Sequence, residues 1–130
     1  MHKKLFIPGP VEVSADVLAQ MATPMMGHRS KNASELQHRI SDKLRQVFYS
    51  QEEILLSTSS GSGLMEGAVR SCTLKKAAVF SVGAFGNRWH EMAVANNVTA
   101  DLFEVEWGQA TTAEMVDKAL STGEYDLLKV

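Results

Sequence analysis

"LLSTSSGSGLMEGAV", residues 55–69, contains the transition that decides the fold. Two leucines lead into a run of hydroxyl residues, two glycines follow with a serine between them, and apolar residues then recur at helical spacing. This order is typical of a strand that ends in a small loop and continues into a helix. The pattern predicts a buried strand over 53–58 and a helix over 60–72.

The same alternation continues towards the C-terminus. Strands are predicted over 76–82, 100–106 and 125–130, with helices over 86–97 and 111–121 between them. Thr111 and Glu114 have the spacing of a capping pair for the second of these helices. Strands that alternate with helices of about ten residues indicate βαβ units, so we expect an α/β fold with a mostly parallel sheet and flanking helices.

The sequence before residue 53 has a different character. Pro8-Gly9-Pro10 predicts an extended, turn-like segment, and Ser14 can begin a short helix over 14–22. A long helix follows, for which Asn32 and Glu35 have capping-box spacing. The predicted organisation is an N-terminal segment over 1–31 and the first part of a larger α/β domain over 32–130. Because the chain stops inside an apolar run, it is expected to be the N-terminal part of a longer protein.

Composition excludes several classes of protein. The net charge of −2 argues against a general nucleic-acid binder. Cys72 is the sole cysteine, so no disulfide framework and no cysteine-based metal site are expected. No apolar run has the length of a signal peptide or a membrane span, and the predicted location is cytoplasmic.

The loop after the first predicted strand suggests anion binding. Ligands of open α/β sheets bind at the carboxyl ends of the strands, and a helix N-terminus attracts phosphate. The hydroxyls of Ser60 and Ser62 can add donors. The loop matches neither a Walker A motif nor a dinucleotide fingerprint, since Gly61 and Gly63 are followed by no suitably spaced lysine or third glycine. Phosphate binding and simple tight packing of a helix on a sheet both remain open.

A second loop, "VGAFGNRW" (82–89), is predicted at the same edge of the sheet. It carries Phe85 among small residues, where an aromatic ring is better placed to stack on a flat ligand than to fill a core. A phosphate cradle beside an aromatic ring suits a phosphorylated planar ligand.

Four motifs in this order, "PGPVEVSADVL", "MGHRS", "STSSGSGLMEGAV" and "VGAFGNRW", resemble the N-terminal part of class V aminotransferases. These are pyridoxal 5'-phosphate (PLP) enzymes of fold type I, and the nearest branch resembles alanine–glyoxylate, serine–glyoxylate and serine–pyruvate aminotransferases. The resemblance implies the first portion of a PLP-binding large domain and a homodimer. It also implies amino transfer from a small amino acid such as alanine or serine to a 2-oxo acid such as glyoxylate or pyruvate.

The resemblance implies roles for single residues. Phosphate contacts would come from Ser60, Gly61 and Ser62, and Phe85 would stack on the pyridine ring. A second group is expected near the active-site mouth or the dimer interface: Pro8, Gly9, Gly27, His28 and Arg29.

The Schiff-base lysine and the acid that binds the pyridine nitrogen are expected beyond residue 130. No catalytic residue is therefore assigned within this chain, and residues 1–130 alone are predicted to be inactive. Ser62 stands where the mammalian branch often has histidine, which leaves the amino donor and acceptor open. The alternatives are a non-catalytic α/β phosphate-binding or scaffold module, or a lyase or desulfurase reaction on the same fold.

Overall fold

A computed structural model describes residues 2–130 of the chain. Its contacts divide the chain into two compact units, Met1–Leu55 and Leu56–Val130. The domain boundary predicted after residue 31 stays a prediction. In chain order the elements are α1 (Ala15–Gln20), α2 (Lys31–Phe48), α3 (Gly61–Cys72), β1 (Ala77–Ser81), α4 (Ala84–Ala95), β2 (Ala100–Glu104), α5 (Ala113–Leu120) and β3 (Leu127–Lys129).

The second unit contains a parallel sheet in the order β2-β1-β3. Ala77 of β1 pairs with Ala100 of β2 on one side and with Leu127 of β3 on the other. All five residues of β1 are buried, as expected for the central strand of a parallel sheet. The predicted α/β class and parallel sheet are confirmed.

Helices cover both faces of β1. Ala78 and Phe80 form a core with Ala119 of α5 on one face. The Phe80 ring stacks on the Phe103 ring of β2, with 4.7 Å between ring centroids. Residues of a strand point alternately to its two faces, so Val79 lies on the other face, and α4 packs against β1. The central strand β1 is therefore packed between α5 on one face and α4 on the other.

The predicted strand over 53–58 is wrong. The structure has no regular element over these residues, and Leu55 and Leu56 are exposed. No strand within residues 2–130 pairs with this segment, and an apolar run becomes a strand only where a neighbour satisfies its backbone groups. The Ser57 hydroxyl also accepts from the N–H of Ser59 at 3.1 Å, a local bond that competes with a sheet ladder.

Two helix caps differ from the predicted ones by one or two residues. Ser30, not Asn32, caps α2, and its hydroxyl oxygen accepts from the N–H of Ala33 at 3.2 Å. Thr112, not Thr111, caps α5, and its hydroxyl oxygen accepts from the N–H of Met115 at 3.3 Å. In both cases neighbouring residues have side chains able to cap, so the sequence alone does not decide between them.

The first unit contains α1 and α2. Ser14 precedes α1 as predicted, and no residue of α1 is buried. Arg45 joins the end of α2 to the segment after it: its Nε donates to the carbonyl of Glu52 at 3.0 Å and its Nη2 to Glu53 at 3.2 Å. Only Ser41 of α2 is buried, so this unit has little apolar core of its own.

Candidate functional site

The N-terminus of α3 presents hydrogen-bond donors. Ser60 precedes the helix, and its side chain makes no capping hydrogen bond. The N–H groups of Gly61 and Ser62 begin the helix, where they have no intrahelical acceptor. The first turn of α3 carries no acidic residue, so nothing in that turn neutralises the positive end of the helix dipole. These are the features that favour an anion.

The segment before Ser60 is organised by its own hydroxyls. The Ser57 hydroxyl lies 2.9 Å from the Ser59 hydroxyl, and the latter lies 3.1 Å from the carbonyl of Ser60. These local bonds engage the hydroxyls of Ser57 and Ser59, whereas the hydroxyls of Ser60 and Ser62 lie at the start of the helix. The local structure thus distinguishes the serines predicted to bind phosphate from their neighbours.

A hydrogen bond between two helices links this site to α4. The guanidinium Nη2 of Arg88 donates to the Ser62 hydroxyl oxygen at 2.9 Å. Phe85 lies one turn before Arg88 on the same face of α4. Phe85 therefore lies on the side of α4 from which Arg88 reaches Ser62.

Phe85 differs from its prediction in one respect. It lies in the first turn of α4, not in a loop, because the helix begins at Ala84. The Phe85 side chain is 83% exposed, so it contributes little to the core of this chain. Its predicted role in stacking stays a prediction, and its position leaves the ring available for one.

A close approach between Gly86 and Ser81 fixes the start of α4. A Cβ atom on Gly86 would lie 2.5 Å from the Ser81 hydroxyl and 2.6 Å from its Cα, closer than real side chains allow. Ser81 is buried, and its hydroxyl lies 2.6 Å from Asn87 Oδ1. Only glycine at position 86 lets α4 lie this close to the end of β1.

Gly61 has different surroundings. A Cβ atom there would meet no other atom within 4 Å, so a side chain would project into open space in front of the helix. Gly63, in contrast, would place a Cβ atom 3.0 Å from Ser59. The space beside Gly61 is therefore open, as it is beside Gly67 further along α3.

A recess beside β1 and β2 offers a different chemistry. Its volume is about 300 Å³, and its lining includes Ser81, Asn87, Glu104 and Glu106. Two carboxylates disfavour a phosphate at this recess. The start of α3, with neutral donors and Arg88, is the better anion site.

The five remaining residues predicted near the site lie in the first unit and are exposed. Pro8 and Gly9 occupy a turn closed by a bridge between Phe6 and Val11. Gly27, His28 and Arg29 form a turn before α2, where the carbonyl of Gly27 accepts from the N–H of Ser30 at 2.9 Å. Their expected place at an active-site mouth or dimer interface stays a prediction.

The opposite edge of the sheet carries a polar cluster that sequence reasoning missed. The carboxylate of Asp126 accepts from three consecutive N–H groups, those of Leu74, Lys75 and Lys76, at 2.8, 2.7 and 3.1 Å. Desolvation raises the pKa of Asp126, but these backbone hydrogen bonds outweigh it and leave the pKa below its ordinary value. A sequence separation of about fifty residues leaves no local signal for this contact.

Asp101 is the centre of a second group at that edge. It accepts hydrogen bonds from Lys76 and from the hydroxyl of Tyr125. The hydrogen bond from Lys76, followed by that from Tyr125, lowers the pKa of Asp101. The same bond with Asp101 raises the pKa of Lys76. The Lys76–Asp101 ion pair joins the starts of β1 and β2, and the Tyr125–Asp101 hydrogen bond joins them to the segment before β3.

Neither a metal-binding cluster nor a membrane-spanning helix is found within residues 2–130. No group of three or more His, Cys, Asp or Glu side chains in this part of the chain could hold a metal ion. None of its helices combines the length and the apolar character that crossing a membrane requires.

Known proteins similar to this chain mostly carry aminotransferase names. An uncharacterized aminotransferase of Methanocaldococcus jannaschii is 35% identical over 99% of this chain and 34% of its own length. A serine–glyoxylate aminotransferase of Methylorubrum extorquens is 29% identical over 89% of the chain and 30% of its own length. A soluble hydrogenase small subunit of Synechococcus is 31% identical over 81% of the chain and 28% of its own length. No protein-family model matches the chain.

The crystal structure of an alanine–glyoxylate aminotransferase from Nostoc has the same fold. Its TM-score is 0.85 at 22% identity, and the likeness covers 98% of this chain and 37% of that one. The chain thus spans about a third of the length of the relatives it matches. The resemblance inferred from the four sequence motifs is confirmed over nearly the whole chain.

Proposed function

We propose that the protein carrying this chain, which is homologous to aminotransferases, is itself a PLP-dependent aminotransferase. Its amino donor would be a small amino acid such as alanine or serine, and its acceptor a 2-oxo acid such as glyoxylate or pyruvate. The name of the Methylorubrum relative supports serine and glyoxylate. The observation that carries the proposal is the set of donors at the start of α3, joined to α4 by the Arg88–Ser62 hydrogen bond.

The residues present fit the phosphate of PLP. Backbone N–H groups, two serine hydroxyls and a guanidinium can all donate hydrogen bonds, which suits an acceptor with several negative oxygens. The open space in front of Gly61 lets such a group reach the backbone. When bound, PLP supplies an electron sink that stabilises negative charge formed on the amino acid.

We assign binding and orienting roles to residues of this chain. Ser60, Gly61 and Ser62 would hold the phosphate, and Phe85 would cover one face of the pyridine ring. Holding both ends of a planar ligand fixes its orientation, which is the main contribution of a protein to cofactor chemistry. The proposal includes a homodimer in the cytoplasm, with Pro8, Gly9, Gly27, His28 and Arg29 near the interface or the mouth of the site.

The test is PLP binding by the whole protein that carries this chain, measured by absorbance and fluorescence after removal of bound cofactor. Gly61→Val should weaken binding at least about tenfold, because its side chain blocks hydrogen bonds to a charged phosphate. Gly67→Ala on the same helix is the matched control, since a Cβ atom there also meets nothing within 4 Å. It should leave PLP affinity unchanged.

Amino transfer from alanine or serine to glyoxylate then separates the alternatives. A protein that binds PLP but transfers no amino group would favour a lyase or desulfurase reaction. A protein that binds no PLP would contradict the proposal and favour a phosphate-binding or scaffold module. Equal PLP affinity of the Gly61→Val variant and the wild type would remove α3 from the site.

A further inference from the structure

The contact between Arg88 and Ser62 joins residues that lie 26 positions apart in sequence. Arg88 belongs to α4 and Ser62 to the first turn of α3. Arg88 lies in the motif "VGAFGNRW", but the motif gave it no role, and its contact with Ser62 depends on how α4 packs against α3.

The direction of this hydrogen bond is fixed by chemistry. A guanidinium has five N–H donors and no acceptor, so the hydroxyl oxygen of Ser62 must accept from Arg88. The hydroxyl hydrogen of Ser62 is then directed away from Arg88 and can donate to another acceptor. An unattached serine hydroxyl rotates freely and loses that freedom when it binds a ligand.

The charge of Arg88 also has a distinctive setting. No carboxylate within residues 2–130 forms a salt bridge with it. Glu66, the acidic residue of α3, pairs instead with Arg70 at 3.3 Å. The positive charge of Arg88 therefore adds to the positive end of the α3 dipole and is not neutralised by a neighbouring acid.

We propose that Arg88 is a positioning residue for the cofactor phosphate: it holds the Ser62 hydroxyl so that its hydrogen points to the phosphate, and it places a positive charge beside it. This inference rests on the proposed function. It deepens that function by assigning a role to a residue outside the Ser-Gly loop, and by linking the phosphate cradle to the helix that carries Phe85.

The test is a double-mutant cycle in the whole protein with Arg88→Met, Ser62→Ala and the double variant. Affinities for PLP and for pyridoxal, which has the same ring without the phosphate, are measured by fluorescence titration of the cofactor-free protein. Arg88→Met should weaken PLP binding about tenfold and leave pyridoxal binding unchanged. The double variant should bind PLP no more than about twofold weaker than the weaker single variant, because Arg88 acts through Ser62.

Two variants control for charge and for folding. Arg39→Met removes the same charge from an exposed position on α2 and should leave PLP affinity unchanged. Arg88→Lys keeps the charge and a donor and should recover part of the lost affinity. The melting temperature of each cofactor-free variant shows whether it is folded.

The outcomes separate this inference from the proposed function. Unchanged PLP affinity in Arg88→Met would overturn the inference, as would an equal loss of pyridoxal affinity, which would indicate a purely structural role. Fully additive effects in the double variant would overturn action through Ser62. A wild-type protein that binds neither PLP nor pyridoxal would overturn the proposed function, and this inference with it.

Discussion

The two edges of the sheet use hydrogen-bond donors in opposite ways. At the amino edge, three consecutive N–H groups before β1 all donate to the carboxylate of Asp126. At the carboxyl edge, the first turn of α3 and the guanidinium of Arg88 bring donors together, and that turn contains no acidic residue. The chain supplies its own anion to the donors at the amino edge, whereas the donors at the start of α3 have no acidic residue in their own turn.

The amino edge therefore contributes to the stability of the fold, and the carboxyl edge to the proposed binding of an anion. The carboxylate of Asp126 ties the segment before β3 to the start of β1, so a change there alters how firmly the sheet is held. The hydroxyls at the start of α3 tie few elements together, so changes there alter the affinity for an anion. Variants at the amino edge should therefore change the free energy of unfolding, and variants at the carboxyl edge should change the affinity for an anion.

Gly86→Val should have the largest effect, a loss of stability, although Gly86 lies at the carboxyl edge, where the other changes alter binding. Its new Cβ atom would overlap Ser81, whose Cα would lie only 2.6 Å away. Overpacking of this kind costs about 3 kcal/mol, and the close contact with backbone leaves little room for relaxation. Urea unfolding of the whole protein should show the loss.

Gly67→Ala is the control for that substitution. It adds a methyl group where nothing lies within 4 Å, and replacing a helix glycine by alanine should stabilise the protein by about 0.8 kcal/mol. An unfolding midpoint for Gly86→Val equal to that of wild type would show that α4 does not need this close approach.

Phe85→Ala should weaken PLP binding alone, as expected for a residue at the carboxyl edge. Loss of an aromatic stacking partner costs about 1 kcal/mol, or roughly fivefold in PLP affinity, whereas Phe85→Trp keeps a flat face and should bind as the wild type does. Trp107→Ala, which removes another exposed aromatic ring, should leave PLP affinity unchanged. Spectroscopic titration checks all three, and equal affinity in the Ala and Trp variants at position 85 would contradict stacking.

Asp126→Asn should show the smallest effect, and only in stability. The folded pKa of Asp126 lies below its unfolded value, so the carboxylate contributes its full stability above about pH 4, the unfolded pKa. This contribution disappears as the pH falls through the folded pKa. Between about pH 6 and about pH 3, the melting temperature of the wild type should therefore fall more than that of Asp126→Asn.

Asp101 acts as an internal reference in this experiment. Its pKa is also lowered, first by Lys76 and then by Tyr125, and it contributes the same acid sensitivity to both proteins. Parallel melting curves against pH would contradict a stabilising role for the Asp126 carboxylate. PLP affinity at neutral pH should be the same in both proteins.

Sequence reasoning predicted the elements of the second unit because their signals are local. The run from Ala77 to Ser81 is apolar enough to be buried throughout, and it forms the central strand as expected. The run at 53–58 has a similar composition, but Leu55 is 87% exposed. A strand requires a neighbouring strand, and the sequence of one strand does not identify the strand with which it pairs.

The candidate site shows the same limit. The Ser-Gly loop and Phe85 were identified because unusual residue types lie close together in sequence. Arg88 was not, since its contact with Ser62 depends on how α4 packs against α3. Ser30 and Thr112 show a smaller error of the same kind, because several adjacent side chains could have capped each helix.

The order of strands also sets an order of entropic costs in the unfolded chain. Pairing of Ala77 with Ala100 closes one loop of the chain, and pairing of Ala77 with Leu127 closes a loop about twice as long. Doubling a loop raises the entropy cost of closure by roughly 0.6 kcal/mol. The hydrogen bonds between Asp126 and the backbone at Leu74–Lys76 lie where the two ends of that longer loop meet. They hold β3 in register with β1 and so offset the added entropy cost.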